Sequence, residues 1–164
     1  RTGYRFDVLC DYGAFRDLQR HRLLTLEWQR LSPAHGFDTP EVIADAGMTE
    51  EWDRVTEDSA STWATVAEHA GEDAAQYAVS MAYRIRFVMQ LSAREAMHLI
   101  ELRSGREGHP SYRAVAHEMH RLIAQVHPAV AGAMTHVDTE AEPRLERILS
   151  EMRTQAKIDA LSGR

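Results

Sequence analysis

The stretch YRIRFVMQL, residues 83–91, alternates apolar and polar side chains well enough to be the clearest strand in the chain. Successive side chains of a strand point to opposite faces, so this pattern predicts a β-strand with one buried face. Ser92 follows and can cap a helix over residues 93–103, which ends at Ser104 and Gly105. The sequence here predicts a strand that leads directly into a helix.

Toward the N-terminus the pattern predicts two shorter strands, over residues 4–10 and 23–31, with a helix over residues 12–22 between them. A loop over 32–36 precedes a helical segment that starts at Thr39 and Pro40. Thr49 is predicted to cap a long helix that Gly71 ends. The apolar side chains of that helix follow helical spacing: Trp52, Val55, Trp63, Val66 and Ala70.

Toward the C-terminus, Pro110 and Ser111 open a helix that runs to about His127, where Pro128 ends it. Its predicted apolar stripe consists of Val115, Met119, Leu122 and Val126. A last helix is predicted from Glu142 and Pro143, with Leu145, Ile148, Leu149 and Met152 on one face. The fold class is α+β, mostly helical with a few strands, and the strand order stays open.

The composition suits one globular domain over residues 1–164, since the chain has 164 residues, 44% of them hydrophobic and 27% charged. A net charge of −6 argues against nucleic-acid binding, which needs a dominant basic surface. A local basic site in such a chain fits a small anionic ligand better. No run is apolar enough to span a membrane. Because the first residue is Arg1, we expect a fragment or C-terminal domain of a longer polypeptide.

The single cysteine, Cys10, excludes a disulfide within the chain and is typical of the reducing cytoplasm. It lies in an apolar run, which favours a small buried side chain over a catalytic thiol. His117 and His120 have the i, i+3 spacing that can place two imidazoles on one metal. No cysteine or well-spaced carboxylate completes a ligand set, so hydrogen-bonded or solvated histidines are the better interpretation and no metal is predicted.

Arginines are the strongest candidates for a binding site. Arg20, His21 and Arg22 are adjacent, Arg94 lies in the first turn of one predicted helix, and Arg121 lies well along the next. The planar guanidinium fork matches phosphate and carboxylate oxygens, so these groups could cradle a phosphate. Salt bridges to some of the 25 acidic residues are the alternative.

The segment QRHRLLT, residues 19–25, resembles the RHR motif of the flavin-dependent thymidylate synthases, also called thymidylate synthase-complementing proteins. That family's longer motif runs R-H-R-x-x-S-x-N-E-x-S-x-R-Y. A second block, SAR at 92–94 followed by MHLIELR and GHPSYRAVAHEMHRL, is similar to the family's later region. There, Arg94 and Arg121 match the spacing of two nucleotide-binding arginines. Together the blocks cover roughly residues 10–130.

The resemblance implies a mostly helical α+β fold with a small antiparallel sheet. It also implies methylation of dUMP to dTMP, with methylenetetrahydrofolate as carbon donor and NADPH reducing FAD, in a homo-oligomer (a tetramer). Arg20, His21 and Arg22 match residues that contact the flavin, and Arg20 also the nucleotide. Arg94 would hold the nucleotide. Arg121 matches a catalytic arginine that contacts the uracil and favours its ionised form.

Departures from the motif fall in its second half. Thr25 keeps the hydroxyl of the first serine, while the Asn-Glu pair becomes Glu27 and Trp28. Trp28 in place of a carboxylate removes an acceptor and adds bulk. Arg30 replaces the second serine, and Ser32 and Pro33 replace the arginine and tyrosine. We predict that Arg30 contributes to substrate binding by restoring the lost charge.

Three hypotheses follow. In the first, the chain is an active synthase of this family or a relative acting on a uridine nucleotide. In the second, it is a catalytically degenerate domain that binds flavin or nucleotide, or supports assembly of an oligomer with a catalytic partner domain. In the third, it is a helical structural module whose arginines form salt bridges. The rewritten segment 27–33 favours the degenerate domain over a chain that is active by itself.

Overall fold

The fold is taken from a computed structural model, which describes residues 2–139 and 146–161. The chain divides into two compact units, with the boundary between Ser92 and Ala93. The first unit contains strands β1 (Gly3–Asp11), β2 (Leu24–Trp28) and β3 (Arg84–Ser92), and helices α1 (Tyr12–Leu18), α2 (Glu41–Asp45), α3 (Thr49–Ala70) and α4 (Glu72–Ala75). The second contains α5 (Ala93–Arg103), α6 (Pro110–Val126), α7 (Pro128–Gly132) and α8 (Glu146–Leu161). Short 3-10 turns occur at Pro33–His35 and Gln76–Ala78.

Strand β3 is the centre of a three-stranded antiparallel sheet with the order β1-β3-β2. Its alternation follows the prediction, because Ile85, Phe87, Met89 and Leu91 are all buried. The predicted strand at 83–91 and the mostly helical α+β class with a small antiparallel sheet are therefore confirmed.

The two edge strands place apolar side chains on the same face as this buried row. Phe6 pairs with Met89 and Val8 with Phe87 on one side. On the other side Leu26 pairs with Met89, and Trp28 with Phe87. Because directly paired residues share a face, the sheet has one apolar face along all three strands.

Helix α1 is shorter than the predicted helix over 12–22. Asp11 caps its start, where the carboxylate accepts a hydrogen bond from the backbone N–H of Ala14 at 2.7 Å. The helix ends at Leu18. After it, the backbone hydrogen bonds join residues three apart instead of four, and the His21 N–H donates to the carbonyl of Leu18 at 3.2 Å. This tighter turn places Arg20, His21 and Arg22 in the connection to β2 rather than on a helix.

Helix α3 begins and ends near the predicted residues, with two corrections. Thr49 is its first helical residue, and Met48 occupies the capping position without a side-chain bond. Val55, placed on the apolar stripe, is exposed, and the buried residue of the helix is Thr56. The Tyr83 hydroxyl donates a buried hydrogen bond to the carbonyl of Thr56 at 2.8 Å, and this bond holds the Thr56 face of the helix inward.

In the second unit, α5 has the predicted bounds, while the buried face of α6 differs from the predicted stripe. Met119 is buried as expected, but Leu122 and Val126 are exposed. Arg113, Ala116 and Ile123 are buried instead. The stripe predicted from the spacing of apolar residues therefore lies about one residue around the helix from the buried face.

The last helix, α8, starts at Glu146 in the structure. The predicted start at Glu142 and Pro143, together with Leu145, lies outside the described residues. Met152, placed on the apolar face, is exposed. Among the described helices none combines the length and the apolar character needed to cross a bilayer.

Candidate functional site

An open groove of about 670 Å³ lies in the first unit, between the end of α1 and strand β2. Three side chains of β2 form its apolar part: Leu24, Leu26 and Trp28. They follow the period of two and lie on the apolar face of the sheet. The end of α1 and the turn after it supply the polar part: Arg16, Gln19, Arg20, His21 and Arg22. We call these eight residues the basic groove.

The basic groove carries positive charge without a carboxylate among its lining residues. Arg16 donates to the sulfur of Met81 at 3.0 Å, and the exposed Arg20 side chain lies 3.5 Å from the carboxylate of Asp17. Arg22 forms no ion pair with any residue that the structure describes. Guanidinium groups that are exposed and weakly paired are available to an anion.

Trp28 is the aromatic residue of the basic groove. Its ring centroid lies 5.7 Å from that of Phe15, and Phe15 lies 4.7 Å from Phe87. Both phenylalanines are buried, whereas Trp28 is 56% exposed. The indole is therefore packed against the core on one side and open to solvent on another.

Arg30 lies beyond β2 and outside the basic groove's lining. Its guanidinium contacts two carboxylates at the start of α4, Glu72 at 3.2 Å and Asp73 at 3.0 Å. All three side chains are exposed, so these pairs are weak and screened by salt. A ligand phosphate at Arg30 would have to compete with both carboxylates.

The two remaining predicted arginines belong to the second unit. Arg94 is exposed in the first turn of α5. Arg121 is exposed on α6 and forms a bidentate pair with Glu118, through Nε at 2.7 Å and a terminal nitrogen at 2.5 Å. Hydrogen bonding from this guanidinium lowers the pKa of the Glu118 carboxyl. In this unit by itself, the Arg121 side chain is a surface group with a local partner.

The histidines on α6 contact backbone carbonyls. His117 Nε2 lies 2.6 Å from the carbonyl oxygen of Asp138, and His120 Nε2 lies 3.3 Å from that of Ala131. A protonated Nε2 donates in each case, which agrees with hydrogen-bonded histidines rather than with a metal-binding pair at this spacing. These bonds attach both α7 and the segment after it to α6.

Cys10 is buried on the apolar face of the sheet. Burial raises the pKa of its thiol from 9.0 to about 12. The thiol is therefore neutral at physiological pH, as expected for a small buried side chain rather than a nucleophile.

Sequence reasoning missed five lining residues of the basic groove: Arg16, Gln19, Leu24, Leu26 and Trp28. The alternation of Leu24, Leu26 and Trp28 was a usable signal, because it places the indole on the same face as two apolar side chains. It also missed the buried Arg113, whose Nε donates to the carbonyl of Ser104 at 2.9 Å. Nothing in the local pattern distinguishes that arginine from exposed ones.

Comparisons with known proteins bear on the whole chain. Residues 2–129 match the family model described as thymidylate synthase complementing protein. A UPF0159 protein from Thermoplasma acidophilum is 40% identical over 161 residues, which are 98% of this chain and 32% of that protein. A UPF0159 protein from Chlamydia muridarum is 37% identical over 153 residues, 93% of this chain and 28% of that protein. The chain thus spans about a third of the length of these relatives.

The fold is also similar to a solved structure. A UMP/dUMP methylase, PolB from Streptomyces cacaoi, bound with 5-Br dUMP, aligns with a TM-score of 0.71 and 18% identity. The alignment covers 81% of this chain and 71% of that one. At this identity the likeness shows the fold, while the match to the family model covers most of the sequence. The chain belongs to the thymidylate synthase complementing protein family.

Proposed function

We propose that the chain is the flavin- and nucleotide-binding domain of a thymidylate synthase-like protein. The reaction is the reductive methylation of dUMP to dTMP, with methylenetetrahydrofolate as carbon donor and NADPH as reductant. The observation that carries the proposal is the basic groove, where Arg20, His21 and Arg22 lie together in a chain of this family and none of the described lining residues has a carboxylate.

The residues of the basic groove fit FAD. Three guanidinium groups suit the negative charge of its diphosphate, and the apolar side chains of β2 suit a planar ring. Bound flavin would supply the hydride chemistry that a protein side chain lacks. The role of the chain's own residues is to bind and orient: Arg20 and Arg22 hold anionic groups, and His21, a buried residue of the lining, contacts the flavin.

The proposal assigns four arginines to the nucleotide. Arg20, Arg30 and Arg94 contact the phosphate, and Arg121 contacts the uracil ring. A guanidinium beside the ring stabilises negative charge as it develops, which makes C5 more nucleophilic. For Arg30 and Arg121 this role requires the ion pairs with acidic neighbours to open when the nucleotide binds. The proposal includes a homo-oligomer in the cytoplasm, where the single cysteine stays reduced.

A second candidate is a catalytically degenerate domain that binds flavin or nucleotide, or supports assembly. Two observations favour it: Arg30 is held by Glu72 and Asp73, and Arg121 by Glu118. Under this alternative, restoring the family's residues with Trp28→Glu and Arg30→Ser should raise turnover of the full protein. Unchanged or lower turnover would argue against degeneration at these two positions.

The first test is FAD binding to the full chain, followed by quenching of flavin fluorescence. Arg20→Ala should weaken binding roughly tenfold or more, since charge-assisted hydrogen bonds are strong. Arg5→Ala is the matched control, because Arg5 is exposed on the opposite face of the sheet. Equal affinities in all three proteins would refute the flavin site.

Turnover separates the two candidates once binding is established. The synthase hypothesis expects dTMP from dUMP in the presence of methylenetetrahydrofolate and NADPH, with a loss of activity in Arg121→Ala. Saturable binding of FAD and dUMP without product would favour the degenerate domain.

A further inference from the structure

Trp28 is unusual for a residue on the apolar face of this sheet. Its register partner Phe87 on β3 is buried, and so are Ile85, Met89 and Leu91 on the same face of β3. Trp28 keeps 56% of its surface exposed. Trp28 continues the half-buried Leu24 and Leu26 in the groove lining, so the three side chains form a contiguous apolar patch, and such patches mark ligand-binding surfaces.

The indole is held in place by its packing. Phe15 contacts it at 5.7 Å between ring centroids, with the planes tilted by 56°, and Phe15 in turn packs on Phe87. An aromatic side chain has only two rotatable bonds, and this one starts from a strand and packs on a buried ring. Binding a ligand therefore requires little ordering of Trp28.

The charge beside Trp28 restricts the chemistry of the ligand. Arg16, Arg20 and Arg22 line the same groove, and Leu24 and Leu26 continue its apolar part. Guanidinium groups recognise phosphate, while an exposed indole offers a face for stacking. A groove with both features suits a molecule that carries a phosphate and a planar ring, rather than a free phosphate or an apolar compound.

We propose that Trp28 is the stacking platform for the planar heteroaromatic ring of a phosphate-bearing ligand in the basic groove. The proposal rests on the proposed function for its ligands, since the isoalloxazine of FAD and the uracil of dUMP both have this chemistry. It gives Trp28, which stands where the family's motif has glutamate, a positive role in binding. Ring recognition comes from Trp28, and anion recognition from the arginines.

The test is titration calorimetry of the full chain with three probes: FAD, dUMP and inorganic pyrophosphate. Trp28→Leu should lower the affinity for the ring-bearing ligand roughly 5- to 100-fold, the effect of losing one stacked base. Trp28→Phe, which keeps a ring, should lower it by less than about fivefold. Pyrophosphate affinity should be unchanged in both variants. Tyr77→Leu is the matched control, because Tyr77 is an exposed aromatic outside the groove.

Different results separate this inference from the proposed function. If Trp28→Leu loses affinity for FAD alone, the flavin ring stacks on Trp28. If it loses affinity for dUMP alone, the uracil ring does. Equal binding of ring-bearing ligands by Trp28→Leu and wild type, with loss in Arg22→Ala, refutes the stacking role and leaves the proposed site intact. An equal loss of pyrophosphate binding in Trp28→Leu would also refute it, since the effect would then be structural.

Two outcomes concern both proposals. Binding that depends on Trp28, without any dTMP formed, keeps the stacking role and refutes methylation by this chain. If the wild-type chain binds neither FAD nor dUMP, both the stacking role and the proposed function are refuted.

Discussion

Removing Arg113 should destabilise the second unit more than removing any exposed arginine. Its side chain is only 4% exposed, and its Nε donates to the carbonyl of Ser104 at 2.9 Å. A terminal nitrogen lies 3.9 Å from the carboxylate of Asp138, which is itself 15% exposed. Arg106 contacts the same carboxylate at 2.6 Å but is 47% exposed. One acidic group thus has a buried and an exposed partner.

The expected cost of Arg113→Ala follows from what the truncation removes. A hydrogen bond from a charged donor contributes about 1.5–3 kcal/mol. Two buried methylene groups contribute about 0.8 kcal/mol each. The sum, about 3–5 kcal/mol, agrees with the usual cost of breaking a buried ion pair by removing one partner. Arg106→Ala, the matched control, should cost less than about 1 kcal/mol because water screens an exposed pair.

Urea denaturation followed by far-UV circular dichroism measures both variants. Tryptophan fluorescence is unsuitable, because Trp28, Trp52 and Trp63 all lie in the first unit. The midpoint for Arg113→Ala should fall well below that of wild type, while Arg106→Ala stays close to it. Similar midpoints for the two variants would mean that burial does not decide the strength of these contacts, and the reasoning would be wrong.

Three further predictions concern other parts of the chain. The unfolded Cys10 thiol loses its proton near pH 9.0 while the folded one keeps it to about 12, so the unfolded state binds fewer protons in this window and stability falls as pH rises. This thiol should contribute a slope of about 1.4 kcal/mol per pH unit above pH 9, so urea titration of Cys10→Ala should show a slope smaller by that amount, while burial of Tyr83, which raises the pKa of its hydroxyl, still contributes; parallel curves would contradict the prediction. Arg121→Ala should weaken dUMP binding roughly tenfold or more in calorimetry, whereas Glu118→Gln, which releases Arg121, should not; unchanged affinity in Arg121→Ala would remove it from the substrate site. Gly108→Ala should lower the melting temperature, at a cost of about 1–3 kcal/mol, because a Cβ there would lie 2.9 Å from the carbonyl oxygen of Gly105. Gly132→Ala should leave the melting temperature unchanged, because no atom of the described residues lies within 4 Å of a Cβ there. Equal melting temperatures for the two variants would show that the loop at Gly108 adjusts without cost.

The local patterns predicted the framework of the fold well. The alternation in β3 and the bounds of α5 follow from side-chain periodicity and from residues that end helices, which act within a few positions. The end of α1 was harder, because the turn at His21 depends on backbone bonds to Asp17 and Leu18 rather than on a glycine or proline. The buried face of α6 was harder still, since it is set by how closely another helix approaches.

The candidate site was predicted in part for similar reasons. Arg20, His21 and Arg22 are adjacent in sequence, so their presence in one groove needs no knowledge of the fold. The partners of Arg30 lie 42 and 43 positions away, at Glu72 and Asp73, and no local signal connects them. Whether an arginine meets a ligand or a carboxylate is decided by such distant contacts, which periodicity does not contain.

The strand order has a consequence for how the chain folds as it is made. The two outer strands are synthesised first, and among the strands that the structure describes both pair only with β3, in a register that joins Gly3 to Ser92. At common rates of translation, segment 29–83 takes on the order of 3–10 s to emerge after β2. During that interval the apolar side chains of both outer strands lack their partner strand. Such long-range pairing forms slowly, so we expect chaperones to bind the exposed apolar side chains of β1 and β2 during synthesis.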